Sequence, residues 1–339
     1  MGGLDDVTGV RPTGGSLTGT DRSISAPPTD GGEPDRLVDR VVVVDWSANS
    51  TPKTGRDSIW LARHDADGTT STLNVPTRAQ AVEILFRLLT LDASRTLLAV
   101  DFSLGFPTGT AAAVGCAHAT WAGMWALLTS MVDDDPRNRN NRFDVARELN
   151  RRTTPDAGPF WGCPPSKVSS VLTATKVPTG GLPEWRLTEA ALRSAGHRPF
   201  SCWQLLGAGA VGSQTLLGIP ALRRLVSRLE ADGRPTHVWP FTTGARRPDP
   251  APGATVVAEV WPSLVEVPLD DRVRDEAQVA TLASTLVSLD RRRQLAELFG
   301  PDLTLDERHV VETEEGWVLG ARTSLAASRR AQPASPGRG

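Results

Sequence analysis

The stretch that decides the fold is "RVVVVDWSANS", residues 40–50, in which four consecutive valines run into an aspartate. A continuous run of β-branched residues is typical of a strand that is buried on both faces. Asp45 closes the run, although a carboxylate is among the costliest groups to bury. A second stretch, "TLLAVDFSLGFP" at residues 96–107, has the same form and ends its apolar run in Asp101. The sequence therefore predicts two buried strands that each finish in a carboxylate.

Two more strands and a helix are predicted between these runs. Strands are predicted at residues 40–47, 58–64 and 69–75. Short polar stretches join them, and one of these ("DADGTT") is typical of a tight hairpin turn, so the three strands should form an antiparallel meander. In "TRAQAVEILFRLLTL" apolar residues recur at helical spacing, with Thr77 as the N-cap. The strand at 96–102 is reached through this helix, so it is predicted to run parallel to the first strand by a right-handed crossover.

The rest of the folded part contains helices, strands and one excursion from the core. Residues 132–200 are polar, rich in Arg and interrupted by prolines, which predicts an insertion with at least one short helix. The elements predicted around it are helices at 112–130, 208–231 and 273–298, strands at 236–241 and 255–262, and a short edge segment at 314–321. Together these elements predict an α/β domain with a mixed sheet over residues 37–321.

The two ends of the chain differ from this pattern. Residues 1–36 are rich in Gly, Pro, Ser, Thr and Asp without periodicity, which predicts a disordered arm. Residues 322–339 have the same character and are predicted to form a disordered tail.

Composition narrows the class of function. The net charge of −2 gives no overall basic field, so binding of nucleic acid would depend on local patches. The three cysteines are widely spaced and contain no Cys-x-x-Cys pair, which is typical of a reducing compartment and disfavours a disulfide scaffold or zinc ribbon. The sequence shows no apolar signal segment and no apolar run long enough to span a membrane. We therefore expect a cytoplasmic protein without a membrane partner.

Four acids are candidates for a metal site. If the strands ending in Asp45 and Asp101 are parallel neighbours, the two carboxylates lie side by side, and such a pair stays fully ionised only with a cation between them. Hard oxygen ligands of this kind suit Mg²⁺ or Mn²⁺. Glu259 interrupts the apolar run of a later strand, and Asp275 lies one helical turn before the buried position Val279. Each acid also has a purely structural explanation, because acids commonly cap turns and begin helices.

Five stretches share their wording with a known group of proteins: "VVVVDWSA", "LLAVDFSLGFP", "WQLLGAGAVGSQTLLGIPALRRL", "VVAEVWPS" and "RDEAQVATLAS". With the order of predicted elements, they resemble the ribonuclease H fold, in particular a bacterial family of uncharacterised, predicted RNase H-like nucleases. The resemblance covers roughly residues 40–321. It implies that Asp45, Asp101 and Asp275 bind two divalent cations, Mg²⁺ or Mn²⁺, with Glu259 as the fourth acid. It also implies two-metal hydrolysis of phosphodiester bonds.

Basic residues near these acids are candidates for substrate contacts. The stretch 137–152 carries six arginines, and we consider Arg139 and Arg142 as phosphate ligands on a flap, since Arg grips phosphate with two hydrogen bonds. The acidic run 133–135 before it would partly cancel such a patch. Lys53 follows the first acid and could touch a phosphate; an exposed turn lysine and a solvated arginine face are the structural alternatives.

Two other motifs are weaker. "GAGAVG" at 207–212 has the glycine spacing of a dinucleotide site, but it lacks a clear strand before it and an acid after the next strand. Ser47 and Ser103 follow the two acids, yet no histidine is placed beside them by the sequence, as a serine nucleophile requires.

The sequence thus predicts a metal-dependent nuclease, with nucleic acid as its partner. One alternative is a phosphotransferase of the sugar-kinase and actin type, which needs a Gly-rich loop after the first strand; here the first glycine after Asp45 is Gly55. Another is a non-catalytic protein of the same fold that binds a nucleotide or a partner protein, for which the unremarkable net charge is the hint. DNA, RNA and small nucleotides remain open as substrates, as does the oligomeric state.

Overall fold

A six-stranded sheet lies at the centre of the structure, a computed structural model that describes residues 36–207, 209–268 and 271–321. The predicted tail at 322–339, and all of the predicted arm at 1–36 except Arg36, lie outside the described residues. The strands are β1 (Arg40–Asp45), β2 (Ile59–Asp65), β3 (Thr70–Val75), β4 (Thr96–Val100), β5 (Thr236–Val238) and β6 (Thr255–Glu259).

The strand order in the sheet is β3-β2-β1-β4-β6-β5. Strands β1, β2 and β3 are antiparallel neighbours, so the predicted meander is confirmed. Strand β4 runs parallel to β1, and β6 and β5 extend the parallel half. The fold is therefore α/β with a mixed sheet, as predicted. The parallel pairing brings the C-terminal ends of β1, β4 and β6 to one edge.

The valines of β1 explain why this strand is central. Val41 and Val43 pack into the core on one face of the sheet, and Val42 and Val44 pack into the core on the other. Because side chains alternate along a strand, a strand covered on both faces needs apolar residues at every position. Burial ends at the C-terminal end of β1, where Asp45 keeps partial exposure.

The described part of the chain forms eight α-helices. They are α1 (Arg78–Thr90), α2 (Thr110–Ala113), α3 (Trp121–Met131), α4 (Arg142–Thr153), α5 (Leu187–Ser194), α6 (Gly212–Ala231), α7 (Arg274–Arg291) and α8 (Leu305–Val310). Of these, α1, α6 and α7 pack against strands of the sheet. The Thr77 hydroxyl caps α1 by accepting from the Gln80 N–H at 3.3 Å, as predicted. No helix in these described ranges is long and apolar enough to cross a membrane.

Two predicted helices differ from the observed ones. The single helix expected at 112–130 is wrong, because Gly115 takes a φ of +77° after α2 and Thr120 then caps α3 as a separate helix. The helix expected at 273–298 stops at Arg291, and Arg293 adopts a φ of +60° before a 3-10 turn at Leu295–Phe299. In both places a left-handed residue ends the helical backbone, which periodicity of apolar residues does not reveal.

The other elements follow the predictions more closely. Helix α6 begins at Gly212, and the glycines before it lie in a loop where Gly207 and Gly209 have positive φ. The predicted edge segment at 314–321 contributes a single parallel bridge, from Val318 to Glu259. The insertion at 132–200 contains α4, α5 and a 3-10 turn at Pro165–Lys167. It also carries buried arginines that reach the sheet edge where the parallel strands end.

Candidate functional site

The two predicted aspartates meet at the ends of β1 and β4. The parallel pairing of Val44 with Val100 brings Asp45 beside Asp101, and the Trp46 N–H donates to Asp101 Oδ1 at 2.8 Å. Burial, followed by the negative charges of Asp101 and Asp275, raises the pKa of Asp45 well above its ordinary value. Burial raises the pKa of Asp101 to about 7. Burial and mutual repulsion therefore oppose the ionisation of both carboxyl groups.

Asp275 lies close enough to act on both members of this pair. Its charge contributes to the raised pKa of Asp45 and of Asp101. Its Oδ2 accepts a hydrogen bond of 2.7 Å from the backbone N–H of Asp57. Asp57 has a φ of +52°, an uncommon conformation for a residue with a side chain, and its charge also raises the pKa of Asp45.

No three His, Cys, Asp or Glu side chains are grouped closely enough to hold a metal ion within residues 36–207, 209–268 and 271–321. The strongest donor set is thus the pair of Asp45 and Asp101, with Asp275 as a nearby third acid. The predicted binding of two metal ions stays a prediction.

Buried arginine fixes the loop that follows Asp45. Arg78 is 1% exposed and donates to the carbonyl oxygens of Ser47 and Asn49 at 2.9 and 2.8 Å. Its guanidinium also pairs with Asp134 of the insertion at 2.6 Å. A charged side chain with this many partners holds its neighbours in one geometry. The loop beside the acid pair is therefore anchored from the core and from the insertion.

Glu259 ends β6 level with Val100 and binds an arginine rather than the acid pair. Arg186, which is fully buried, donates to Glu259 Oε2 at 2.8 Å and to both carboxyl oxygens of Glu189. Glu259 Oε2 also accepts from the Leu104 N–H at 3.0 Å. Glu259 thereby links the insertion to the loop that follows Asp101. Nothing in the sequence indicated this ion pair.

Two cavities meet at the acid pair. The first, which we call the aromatic cavity, has a volume of about 300 Å³, and its lining includes Asp45, Asp101, Phe200 and Trp261. The second, the arginine cavity, has a volume of about 260 Å³, and Arg142 and Asp275 are among its lining residues. Asp45 and Gln214 are among the residues that line both cavities, so the two cavities are adjacent at the carboxyl end of β1, and we call them together the cleft.

The predicted substrate residues are placed differently from one another. Arg142 lines the arginine cavity and donates to Ser213 Oγ at 3.0 Å and Ser50 Oγ at 2.9 Å. Burial, with the nearby charge of Arg78, lowers the pKa of Arg142 to about 10, so it remains charged at neutral pH. Arg139 is paired with Asp135 on the surface.

Lys53 lies 3.4 Å from Asp57 Oδ2. Neither Lys53 nor Arg139 is among the described residues that line the two cavities. Their roles as substrate ligands stay predictions.

Several residues of the cleft had no signal in the sequence. Asp57 reads as an ordinary turn acid, and its place depends on a loop held by Arg78. Gln214, whose Nε2 donates to the Trp46 carbonyl at 2.5 Å, lies in one of the stretches that carry the resemblance, but the resemblance implied no role for it. Trp261 lies in an apolar run of the sequence, and the structure places it half-buried in the lining of the aromatic cavity.

The described chain resembles no characterised protein by any of three comparisons. No protein-family model, no curated protein and no solved structure matches it. The function therefore has to be argued from the geometry of the cleft.

Proposed function

We propose that this protein is a divalent-cation-dependent nuclease with an RNase H-like fold. The observation that carries the proposal is that Asp45 and Asp101 follow two paired parallel strands and both line the aromatic cavity. Both carboxyl groups have a raised pKa, because burial and like charge oppose their ionisation. A bound cation would reverse that opposition. Perturbed carboxyl pairs in clefts are typical of functional sites.

The topology of the sheet supports the fold part of this proposal. An antiparallel meander, a helical crossover and a fourth strand parallel to the first give the order β3-β2-β1-β4, which agrees with the order of elements on which the resemblance rests. Strand β6 then lies between β4 and β5, so the last two strands are inverted in order relative to their sequence. The acids occupy the carboxyl edge of the parallel strands, where open α/β sheets commonly bind ligands.

The oxygen donors of these acids are of the type that a hard cation takes, although no three of them in the described residues are already close enough to hold one. Asp45 and Asp101 would share it, and Asp275 would approach from α7, since all three supply carboxylate oxygens. A divalent cation bound there would supply an activated water and stabilise charge on the phosphate and leaving oxygen. Glu259 is satisfied by Arg186 and Leu104. We therefore assign Glu259 to positioning the loop after Asp101 rather than to holding an ion.

The rest of the proposed reaction involves the phosphodiester bond that is cut and the side chains of the cleft that bind the substrate. Hydrolysis forms a bond between phosphorus and a water oxygen, breaks the bond from phosphorus to the leaving 3′-oxygen, and moves a proton from that water to the leaving oxygen or solvent. Arg142 is the cation of the cleft that would bind a phosphate oxygen of the substrate. Gln214 lines both cavities and would orient the nucleic-acid strand that passes between them.

One observation bears on the phosphotransferase alternative. Gly55, the first glycine after Asp45, donates its N–H to Asn74 Oδ1 at 2.6 Å and does not line the described cavities. A phosphate-binding loop needs its backbone N–H groups directed at the ligand. This disfavours a kinase.

The three cysteines are free thiols, which favours a reducing compartment, and we propose the cytoplasm.

Calorimetric titration with Mn²⁺ tests the proposal most directly. We expect binding to the wild type and none to Asp45→Asn/Asp101→Asn, with circular dichroism showing that the variant is folded. Asp156→Asn/Glu230→Gln removes two exposed carboxyl groups from elsewhere on the surface and serves as a control with the same number of acid-to-amide substitutions. Labelled single-stranded and duplex DNA and RNA are then incubated with Mn²⁺. Absence of Mn²⁺ binding by the wild type would overturn the proposal and favour the non-catalytic alternative.

A further inference from the structure

The aromatic cavity has features that catalysis of hydrolysis alone does not require. Its volume of about 300 Å³ is at the small end of ligand pockets, which span about 300–1,000 Å³. That space suits a single base with its sugar. Asp45 and Asp101 lie in its lining, so any occupant would be adjacent to the acid pair.

Two aromatic rings wall this cavity. Phe200 is 43% exposed, although large apolar side chains are normally covered. A Cβ added to Gly209 would lie 2.3 Å from the Phe200 ring. The ring can therefore occupy this position only because residue 209 has no side chain. Trp261 is half-buried and meets His197 edge-on, with ring centroids 5.5 Å apart. Flat rings at the mouth of a cavity are the surfaces on which bases stack.

Polar side chains without partners complete the lining. Ser103, Ser263 and Gln278 all face the cavity. Within the described residues, none of their side chains takes part in a hydrogen bond. Hydroxyl and amide groups donate and accept hydrogen bonds, as the edges of bases do. A ligand with both a flat face and polar edges would satisfy these groups and the two rings together.

The charges of the cleft disfavour an intact duplex. Among the described residues that line either cavity, Arg142 is the one cationic side chain. The acids that line them are Asp45, Asp57, Asp101, Glu189, Glu259 and Asp275. Duplex binding depends on many phosphate contacts with basic groups, which this surface does not offer. Stacking on Phe200 and Trp261 would have to supply most of the affinity.

We propose that the aromatic cavity receives one unstacked base of a single nucleic-acid strand, read between Phe200 and Trp261. The phosphodiester next to that base then lies at Asp45 and Asp101, and the neighbouring phosphate lies toward Arg142 in the arginine cavity. The inference rests on the proposed nuclease function and narrows its substrate to unpaired strands. It assigns Phe200 and Trp261 to substrate selection.

Fluorescence anisotropy with labelled ten-nucleotide single strands tests this, using a lone abasic site placed at each position in turn. We expect one position, fixed relative to the cleaved bond, at which loss of the base weakens binding by about tenfold or more, the effect of removing one stacked base. That position effect should disappear in Phe200→Leu/Trp261→Leu. Leu305→Ala removes another exposed apolar side chain, one that is 85% exposed on α8, and should bind as the wild type does. Salt dependence should be shallow, with a slope of about −0.7 for each phosphate contacted.

The outcomes separate this inference from the nuclease proposal. Cleavage in Mn²⁺ with no positional effect of abasic sites, or with equal binding of duplex, would overturn the base site and leave the nuclease standing. A positional effect that the double variant abolishes, without cleavage, would support the base site and overturn the nuclease. No binding of any strand by the wild type would overturn the base site whatever the metal titration shows.

Discussion

Replacement of Arg186 by methionine should destabilise this protein more than removal of any surface arginine. The guanidinium is fully buried and contacts the carboxylates of Glu189 and Glu259 and the backbone carbonyl of Glu315. Methionine is similar in length and apolar, so it fills the space without replacing the charge. The two carboxylates would then remain buried, at 5% and 4% exposure, without a cation.

The magnitude follows from what is left behind. Removing one partner of a buried ion pair costs about 3–5 kcal/mol, because the other charge stays desolvated. Two carboxylates lose the same partner here, so we expect a loss toward the upper end of that range. For a domain of this size each kcal/mol lowers Tm by about 2 °C, which gives a fall of about 6–10 °C.

Urea denaturation at pH 7.5, followed by tryptophan fluorescence, measures the change in free energy of unfolding. Arg152→Met is the matched control, since Arg152 pairs with Glu148 at 3.0 Å on the surface and is 38% exposed. Exposed pairs contribute about 0–1 kcal/mol. Both substitutions remove one positive charge, so the difference between their losses in free energy of unfolding reports the effect of burial.

The pH dependence provides the refutation. Burial raises the pKa of Glu189, and it raises that of Glu315 to about 6. At pH 5 the carboxyl groups around an absent Arg186 can take up protons, so the loss should be smaller than at pH 7.5. A loss below about 1 kcal/mol, or the same loss at both pH values, would refute the reasoning.

Three further outcomes are expected. The pKa of Asp101 is about 7 in the fold against an ordinary 3.8, so the free energy of unfolding falls as pH rises through that interval. Asp101→Asn in metal-free buffer should therefore raise the free energy of unfolding at pH 8, by at most about 4 kcal/mol, and give no gain at pH 3.5. Urea denaturation with EDTA measures both values. Glu315 behaves likewise, with a pKa raised from 4.5 to about 6, so Glu315→Gln should flatten the fall in stability between pH 4.5 and 7 by about 2 kcal/mol; an unchanged pH profile would contradict this. Gly218→Ala should cost about 1–3 kcal/mol, because the new Cβ would lie 2.6 Å from the Phe102 ring; thermal unfolding would show little change for Gly300→Ala, where the nearest atom is 3.9 Å away.

Local signals in the sequence predicted the sheet well. The valine run of β1, the hairpin turn at Gly68 and the Thr77 cap each depend on residues close together in the chain. From them the meander, the crossover helix and the parallel partner of β1 followed by general rules of connection. The meeting of Asp45 and Asp101 was a consequence of that topology, so it could be predicted before any contact was seen.

The rest of the cleft depends on contacts between distant residues. Arg186 lies in the polar insertion and resembles a solvated arginine, but it is buried against Glu259, 73 residues later. The residues next to Arg186 and Glu259 in the sequence do not indicate that the two pair. Each charge is tolerated in the interior only because the other compensates it. Arg142 was predicted to be a substrate residue from its type, and the structure adds that it donates to Ser213 and Ser50 beside the arginine cavity.

The hydrogen bond from the Asp57 N–H to Asp275 joins residues 218 positions apart. A chain made from its N-terminus can form β1 to β4, and bring Asp45 beside Asp101, long before α7 exists. The third acid and the loop it holds can join them only after α7 has been made. Contacts of such long sequence separation form late because closing so large a loop is entropically costly. If the cleft cuts nucleic acid, a nascent chain would therefore carry an incomplete site while it is still attached to messenger RNA and the ribosome.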